Sequence, residues 1–278
     1  TIYQVRVDTS RLKDQEAYLR NATEVDNVLA NENSALGRAL NGFFDGVQSA
    51  SNDPLSKPSR QLLYSQIESV SQRFNTAQTR LEDQNKSINL QLGSMTAKVN
   101  ELAKSIGSLN KEILLYSGST AHPPNDLFDK RDEMLRELSE LVDVDIQVQD
   151  GLDVHVSIGN GIPLITGEQV NQLEAVPSDK DKSRYQINLV DKKGVRMHIT
   201  NEITGGEMGG VVRYRRDTLD PALNELGRIA IVFAGEMNNQ HKAGIDINGD
   251  QGGNLFQDIN TQQFQLDRIP GLQRMTPA

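Results

Sequence analysis

The sequence predicts an α+β protein: an elongated antiparallel helical rod of long, coiled-coil-like helices with an inserted small antiparallel β domain. Three observations predict it. Apolar residues recur at steps of three and four along three long segments. Between the second and third of these the period switches to two. Glycine divides the chain, with six in residues 1–150 and sixteen in residues 151–278.

The first segment carries Tyr18, Ala22, Val25, Leu29, Leu36, Ala39, Phe43 and Val47, which predicts a helix over about 12–47. Pro54 and Pro58 mark the turn after it, because proline is excluded from helix interiors. Pro123 and Pro124 mark the next turn, and no proline lies between Ser59 and His122. That stretch has a seam of Leu63, Ile67, Val70, Phe74, Ala77 and Leu81, then Ile88, Leu92, Met95, Val99, Leu102, Ile106, Leu109 and Ile113. Gln84 is the expected polar position of the seam. The steps Gln84–Ile88–Leu92 predict a stutter that locally unwinds a supercoil. A single helix over about 59–116 would be roughly 87 Å long, too long for a compact globule of this mass, hence the rod. A shorter helix is expected over about 126–141, capped by Asn125 or Asp126.

From Val142 apolar and polar residues alternate, and Asp150-Gly151 signals a hairpin. Val154, Val156 and Ile158 form the next strand, and Gly159-Asn160-Gly161 turns the chain again. Further strands are expected near 162–165, 170–176, 184–190 and 195–200, with a polar loop from Pro177 to Ser183. The third helical seam is Leu219, Leu223, Leu226, Ala230, Phe233 and Met237. Pro221 marks either the first turn of a helix after Asp220 or a kink in a longer helix starting near Gly206. The expected organisation is residues 1–142 as the first part of the rod and 143–204 as the inserted β domain. Residues 205–243 follow as the returning helix, and 244–278 as a loop and the start of a further outer domain.

Composition narrows the function classes. Six Tyr, seven Phe and no Trp suit thin cores in elongated pieces. The net charge of −9 disfavours a nucleic-acid partner, which needs clustered Lys and Arg. Without cysteine there is no disulfide scaffold, thiol nucleophile or Cys-based metal site. His122, His155, His198 and His241 are too scattered in sequence to suggest one site. No apolar run approaches the roughly 18 residues of a membrane span.

Individual motifs are weak. Asp246-Ile247-Asn248-Gly249-Asp250 resembles the start of a calcium loop, but Gln251 and Gln257 stand where such a loop needs Gly and Glu. Gly205-Gly206-Glu207-Met208-Gly209-Gly210 matches no phosphate-binding pattern and predicts close backbone approach where strand passes to helix. Arg213-Tyr214-Arg215-Arg216 is the densest basic cluster and is expected to pair with acidic surface, as at a subunit contact. Asp129-Lys130-Arg131-Asp132 reads as a solvated or pairing helix face. Asn21-Ala22-Thr23 and Asn85-Lys86-Ser87 match the glycosylation pattern but fall in expected helices. No catalytic, cofactor-binding or metal-ligating residue is assigned, and no cofactor is expected.

Four runs carry a family resemblance: Asn125 to Asp132, Gly205 to Val211, Leu226-Gly227-Arg228-Ile229-Ala230, and Asn238-Asn239-Gln240-His241-Lys242-Ala243-Gly244-Ile245-Asp246 continuing to Asp250. With them the chain resembles the bacterial flagellar hook-associated protein 1 family, the hook–filament junction proteins, over most of residues 15–260. Lys130 stands where the family usually has Gln. The resemblance implies a non-enzymatic structural protein of the flagellum, joining hook to filament by lateral packing of rod domains in a ring. It implies copies of itself, hook protein and a second junction protein next to the filament as partners, and a cytoplasmic export chaperone acting through a C-terminal segment. It implies secretion to the extracellular flagellum, with no nucleic acid and no membrane as partner. On this resemblance the chain is expected to be a fragment lacking the terminal core segments. The rival expectation is an extracellular enzyme or adhesin with a coiled-coil stalk, which for an enzyme requires a pocket of convergent carboxylates or His.

Overall fold

The computed structural model describes residues 2–117, 125–149, 152–246 and 248–257, and the side chains of all of these except 2, 28–34 and 117. The expected turns at Asp150-Gly151 and Pro123/Pro124, the side chain of Leu29, His122 and the stretch 258–278 lie outside the described residues.

Helix α1 runs Ile2–Asn52 and α2 runs Lys57–Ser117. Between them Ser56 caps α2, its hydroxyl accepting from the Ser59 N–H at 3.3 Å, and Pro58 sits in the first turn, where its missing N–H costs nothing. From Ile67 to Ile113 the expected apolar seam of α2 is buried throughout, and Leu63 is half-buried. The polar position, however, is Asn85 rather than Gln84: Asn85 is 6% exposed and its Nδ2 donates to the Ser183 carbonyl. The consecutive steps of four therefore fall at Ala77–Leu81–Asn85, upstream of the place expected.

In α1 the first two positions of the seam are shifted by one residue, while Val25 is buried as expected. Ala17 and Asn21 are buried, whereas Tyr18 and Ala22 are half-buried. The cause is the close approach of Gly210, where a Cβ would stand 3.0 Å from that of Ala17, so only a small residue fits there. The far end shifts too. Gly46 is buried, with Leu63 Cα only 3.3 Å from a would-be Cβ, and Val47 is exposed.

Helix α3 spans Asn125–Leu141. Seven strands follow: β1 Val144–Gln149, β2 Asp153–Ile158, β3 Ile162–Thr166, β4 Gln169–Val170, β5 Gln172–Pro177, β6 Tyr185–Val190 and β7 Arg196–His198. They form two antiparallel sheets, ordered β1-β2-β3-β4 and β5-β6-β7. Val142, expected in the first strand, instead ends the preceding helical turn, its N–H donating to Leu138. The strand expected over 170–176 is split. Asn171 donates from its backbone to Leu164 and from its side chain to Pro163, and the chain changes sheet there.

A 3-10 turn at Thr200–Glu202 leads to α4, Gly206–Tyr214. A π-helical turn at Arg215–Leu219 joins α4 to α5, Asp220–Lys242. Pro221 explains the π turn: proline lacks an N–H and its ring clashes with the carbonyl four residues back, so the ladder widens just before it.

These elements form two compact units. One is Thr1–Ala22 with Asn85–Asp217, and the other Thr23–Gln84 with Thr218–Ala278. The first holds both sheets. Its β2 buries Val154, Val156 and Ile158 on one face, and β5 and β6 bury Leu173, Ile187 and Leu189. The second has a core of Leu36, Ala39, Phe43, Ile67, Val70, Phe74, Ala230, Ala234 and Phe256. Phe233 sits centrally in it, 5.5 Å from both Phe43 and Phe256 and 6.3 Å from Phe74 between ring centroids. Such pairs add about 0.5–1.5 kcal/mol each beyond burial.

Candidate functional site

In the first unit, the arrangement that stands out is a row of asparagines on α2. Asparagine is a poor helix former because its amide competes for backbone partners. Here that amide is used against strand backbone. Asn110 is fully buried, and its Nδ2 donates to Val154 at 2.9 Å and Gly167 at 2.7 Å. Its Oδ1 accepts from the Val154 N–H at 3.3 Å and from Arg131 at 3.1 Å. Asn100 pairs with both backbone groups of Leu173, each at 2.8 Å. Asn89 accepts from the Tyr185 N–H at 2.9 Å and donates to Ser183 at 2.8 Å. A primary amide presents one acceptor and a donor side by side, as a peptide group does, so each asparagine stands in for a missing strand neighbour. The signal in the sequence was their recurrence at positions 89, 100 and 110, steps of about 3.1 and 2.8 turns that keep all three within one side of the helix.

Arg131 departs from the solvated face expected for Asp129 to Asp132. It is 5% exposed, donates to Asn110 and to the Leu152 carbonyl at 2.5 Å, and lies 5.2 Å from the Phe128 ring centroid. Burial pulls its guanidinium below the usual arginine value, against the pull of Asp132 and Asp153.

The Gly205 to Val211 run forms a joint in the same unit. Gly205 and Gly206 have φ of 59° and 57°, and the Gly206 N–H donates to Ser10 Oγ at 3.0 Å. A Cβ on Gly206 would stand 2.2 Å from the Leu141 carbonyl carbon, and one on Gly210 would stand 2.2 Å from the Asp14 oxygen. Arg213 pairs with Asp14 and covers the Tyr18 ring at 4.4 Å. Arg215 is buried and donates to Tyr185 and Asn89, and Arg216 pairs with Asp217. The basic cluster is thus paired within the chain. Beside the joint lies a cleft of about 530 Å³, lined by both signs of charge, including Arg11, Asp14, Asp143 and Arg213.

In the second unit, Asn238 is 3% exposed and clamps the returning chain. Its Oδ1 accepts from Leu255 and Phe256 N–H groups, and its Nδ2 donates to Phe256, all at 2.8 Å. His241 Nδ1 donates to Gly253 at 2.7 Å. Asp246 folds its own loop. Its Oδ1 accepts from the Asn248 and Asp250 N–H groups at 2.8 and 2.9 Å, which hold its carboxyl below the ordinary carboxylate value.

The other candidates from the sequence do not converge. His155 approaches Asp153 at 3.7 Å, and His198 bonds Thr200. Among the described residues no group of three or more His, Asp or Glu could hold a metal ion. Both glycosylation-pattern asparagines, Asn21 and Asn85, are buried with their amides engaged. No described helix is long and apolar enough to cross a membrane.

The family model for the flagellar hook-associated protein FlgK helical domain matches residues 22–256. The chain belongs to that family. It is similar to flagellar hook-associated protein 1 of Escherichia coli (strain K12), with 34% identity over 255 residues, 91% of this chain and 47% of that protein. It is 35% identical to the Salmonella typhimurium protein of the same name over 236 residues, 84% of this chain and 43% of that one. The structure of the flagellar hook junction protein FlgK from Burkholderia pseudomallei superposes with a TM-score of 0.86 at 27% identity, covering 91% of this chain and 46% of that chain. The chain therefore spans about half the length of the curated relatives it matches.

The four runs that resemble the FlgK family each have a structural place. Asn125 to Asp132 delivers Arg131 to the sheet, and Gly205 to Val211 makes the joint. Leu226 to Ala230 lies in α5 with Gly227 and Ala230 buried, and Asn238 to Asp246 makes the clamp.

Proposed function

We propose that this chain is the helical and β portion of a flagellar junction protein that joins hook to filament by lateral packing of copies in a ring. The observation that carries the reading is the match of the FlgK helical-domain family to residues 22–256. The name of the Burkholderia pseudomallei structure, a flagellar hook junction protein, supports the position in the flagellum. The task is mechanical, and no bond of a substrate is broken. Buried amides tie the sheets to α2, and the glycine joint ties α4 to α1, so load on one element passes to the next through hydrogen bonds and packing. Ion pairs exposed on the surface, such as Arg228 with Glu225, are worth about 0.2–1 kcal/mol each, so strength in a ring comes from repetition.

The proposed partners are copies of itself, hook protein on one side and a second junction protein next to the filament on the other. A cytoplasmic export chaperone acting through a C-terminal segment, and secretion to the extracellular flagellum, complete the reading. The test is a graft. Residues 22–256 replace the matching stretch of the Escherichia coli hook-associated protein 1 in cells lacking it. Filaments attached to hooks, and swimming, are the expected result. A stable, exported chimera that leaves hooks bare would overturn the reading.

A further inference from the structure

Three Asn-Gly pairs occur in the chain: Asn41-Gly42, Asn160-Gly161 and Asn248-Gly249. Their backbone settings differ. Asn41-Gly42 lies inside α1, where the Gly42 N–H belongs to the helical ladder. The Gly249 N–H donates to the Asp246 carbonyl at 3.1 Å, and the Asn248 Nδ2 donates to Asp246 Oδ2 at 3.2 Å. Asn160 and Gly161 are both exposed at the tip of the β2–β3 hairpin, beyond the pair Ile158↔Ile162. Among the described residues the Gly161 N–H makes no backbone hydrogen bond, and a Cβ at Gly161 would meet nothing within 4 Å.

We propose that Asn160-Gly161 is a site of spontaneous deamidation in the folded protein. The Gly161 backbone nitrogen, having lost its proton to solvent base, attacks Asn160 Cγ. A C–N bond forms, the Cγ–Nδ2 bond breaks, and Nδ2 leaves as ammonia after taking a proton from water. The resulting succinimide is opened by water at either carbonyl, giving aspartate or isoaspartate, with no oxidant or reductant. Gly161 suits the step because it has no side chain to hinder ring closure and its nitrogen is not held in a ladder.

The product perturbs its surroundings. Either acid adds a negative charge at the hairpin tip, and isoaspartate also routes the backbone through Cβ. Gly159 leaves little room on that side for the extra atom, because its backbone packs so closely on Glu202 that a Cβ there would stand 2.1 Å from the Glu202 carbonyl oxygen. The change is therefore felt at the Ile158↔Ile162 end of the β2–β3 ladder.

The test is peptide mapping by mass spectrometry on the full chain, incubated at mildly alkaline pH in ordinary and in ¹⁸O water. Folded and urea-unfolded samples are run in parallel. In the folded protein the Asn160 peptide should convert ahead of Asn248, and at least about tenfold faster than Asn41, whose helix must open first. In urea the three should convert at similar rates. Asn160→Gln should abolish the leading product and leave the other two unchanged. Conversion of Asn160 in the folded chain no faster than Asn41, or led by Asn248, would overturn the proposal.

Discussion

Asn110→Ala tests whether the amide row on α2 holds the first sheet in place. The substitution removes four hydrogen bonds at once and takes their Asn110 partner from the Val154 N–H and C=O, the part-buried Gly167 C=O and Arg131. Asn110 is fully buried, so water does not reach the gap without local opening. An orphaned buried group costs about 1–3 kcal/mol. The two buried Val154 groups, with the Gly167 carbonyl only part-buried and Arg131 still satisfied by Leu152, come to about 3–4 kcal/mol. Asn100→Ala removes two bonds from a half-buried side chain, which water can replace, and should cost about 1–2 kcal/mol. Because the protein has two units, one melting temperature is a poor measure, and the assay is native-state hydrogen exchange of peptides spanning residues 152–167. Asn110→Ala should speed their exchange by about two to three powers of ten, at about 1.4 kcal/mol per decade. Gln147→Ala, on exposed β1, serves as the control. If Asn110→Ala changes exchange no more than Gln147→Ala, the amide is not what holds β2.

Other outcomes follow from burial and space. Leu102 is 4% exposed and Leu90 76%, so Leu102→Asp should cost more than about 4 kcal/mol and Leu90→Ser less than about 0.5 kcal/mol in chemical denaturation. Gly→Ala should change sign with position. Gly210→Ala should destabilise by about 1–3 kcal/mol or more, because its Cβ would stand 2.2 Å from the Asp14 oxygen. Gly93→Ala should stabilise by about 0.5–1 kcal/mol, because nothing lies within 4 Å. Urea midpoints that moved in the same direction for both would contradict the close approach at the joint. Asp246 carries a depressed folded pKa, so its contribution to the 244–252 loop is intact above the unfolded value of about 3.9 and lost as pH falls through the folded one. Exchange of the Asp250 amide, corrected for intrinsic rates, should show protection constant from neutral pH down to that window and falling below it. A loss of protection on raising the pH instead would reverse the sign.

The element types were legible because they rest on local chemistry. Apolar steps of three and four specify α1, α2 and α5, and alternation specifies β2, whatever else is in the molecule. Pro58, Pro221 and the Gly205-Gly206 pair also spoke for themselves, since each limits backbone conformation on its own. The four runs behind the family resemblance were legible as sequence, but not what each one does.

What the sequence by itself determined is therefore the order and kind of elements and, separately, through its four runs, the family resemblance. The tertiary structure decided which of two adjacent residues faces inward. A period of 3.6 leaves Ala17 and Tyr18, or Gln84 and Asn85, nearly equivalent until a neighbour approaches, and Gly210 and Ser183 are what break the tie. It also decided the fate of polar groups whose partners are distant in the chain. Asn110, Asn100 and Asn89 meet strands 44, 73 and 96 residues away. Arg131 is buried only because the Leu152 carbonyl and Asn110 await it. Hydrogen-bond satisfaction is a property of the assembled interior, so no pattern confined to one segment can announce it.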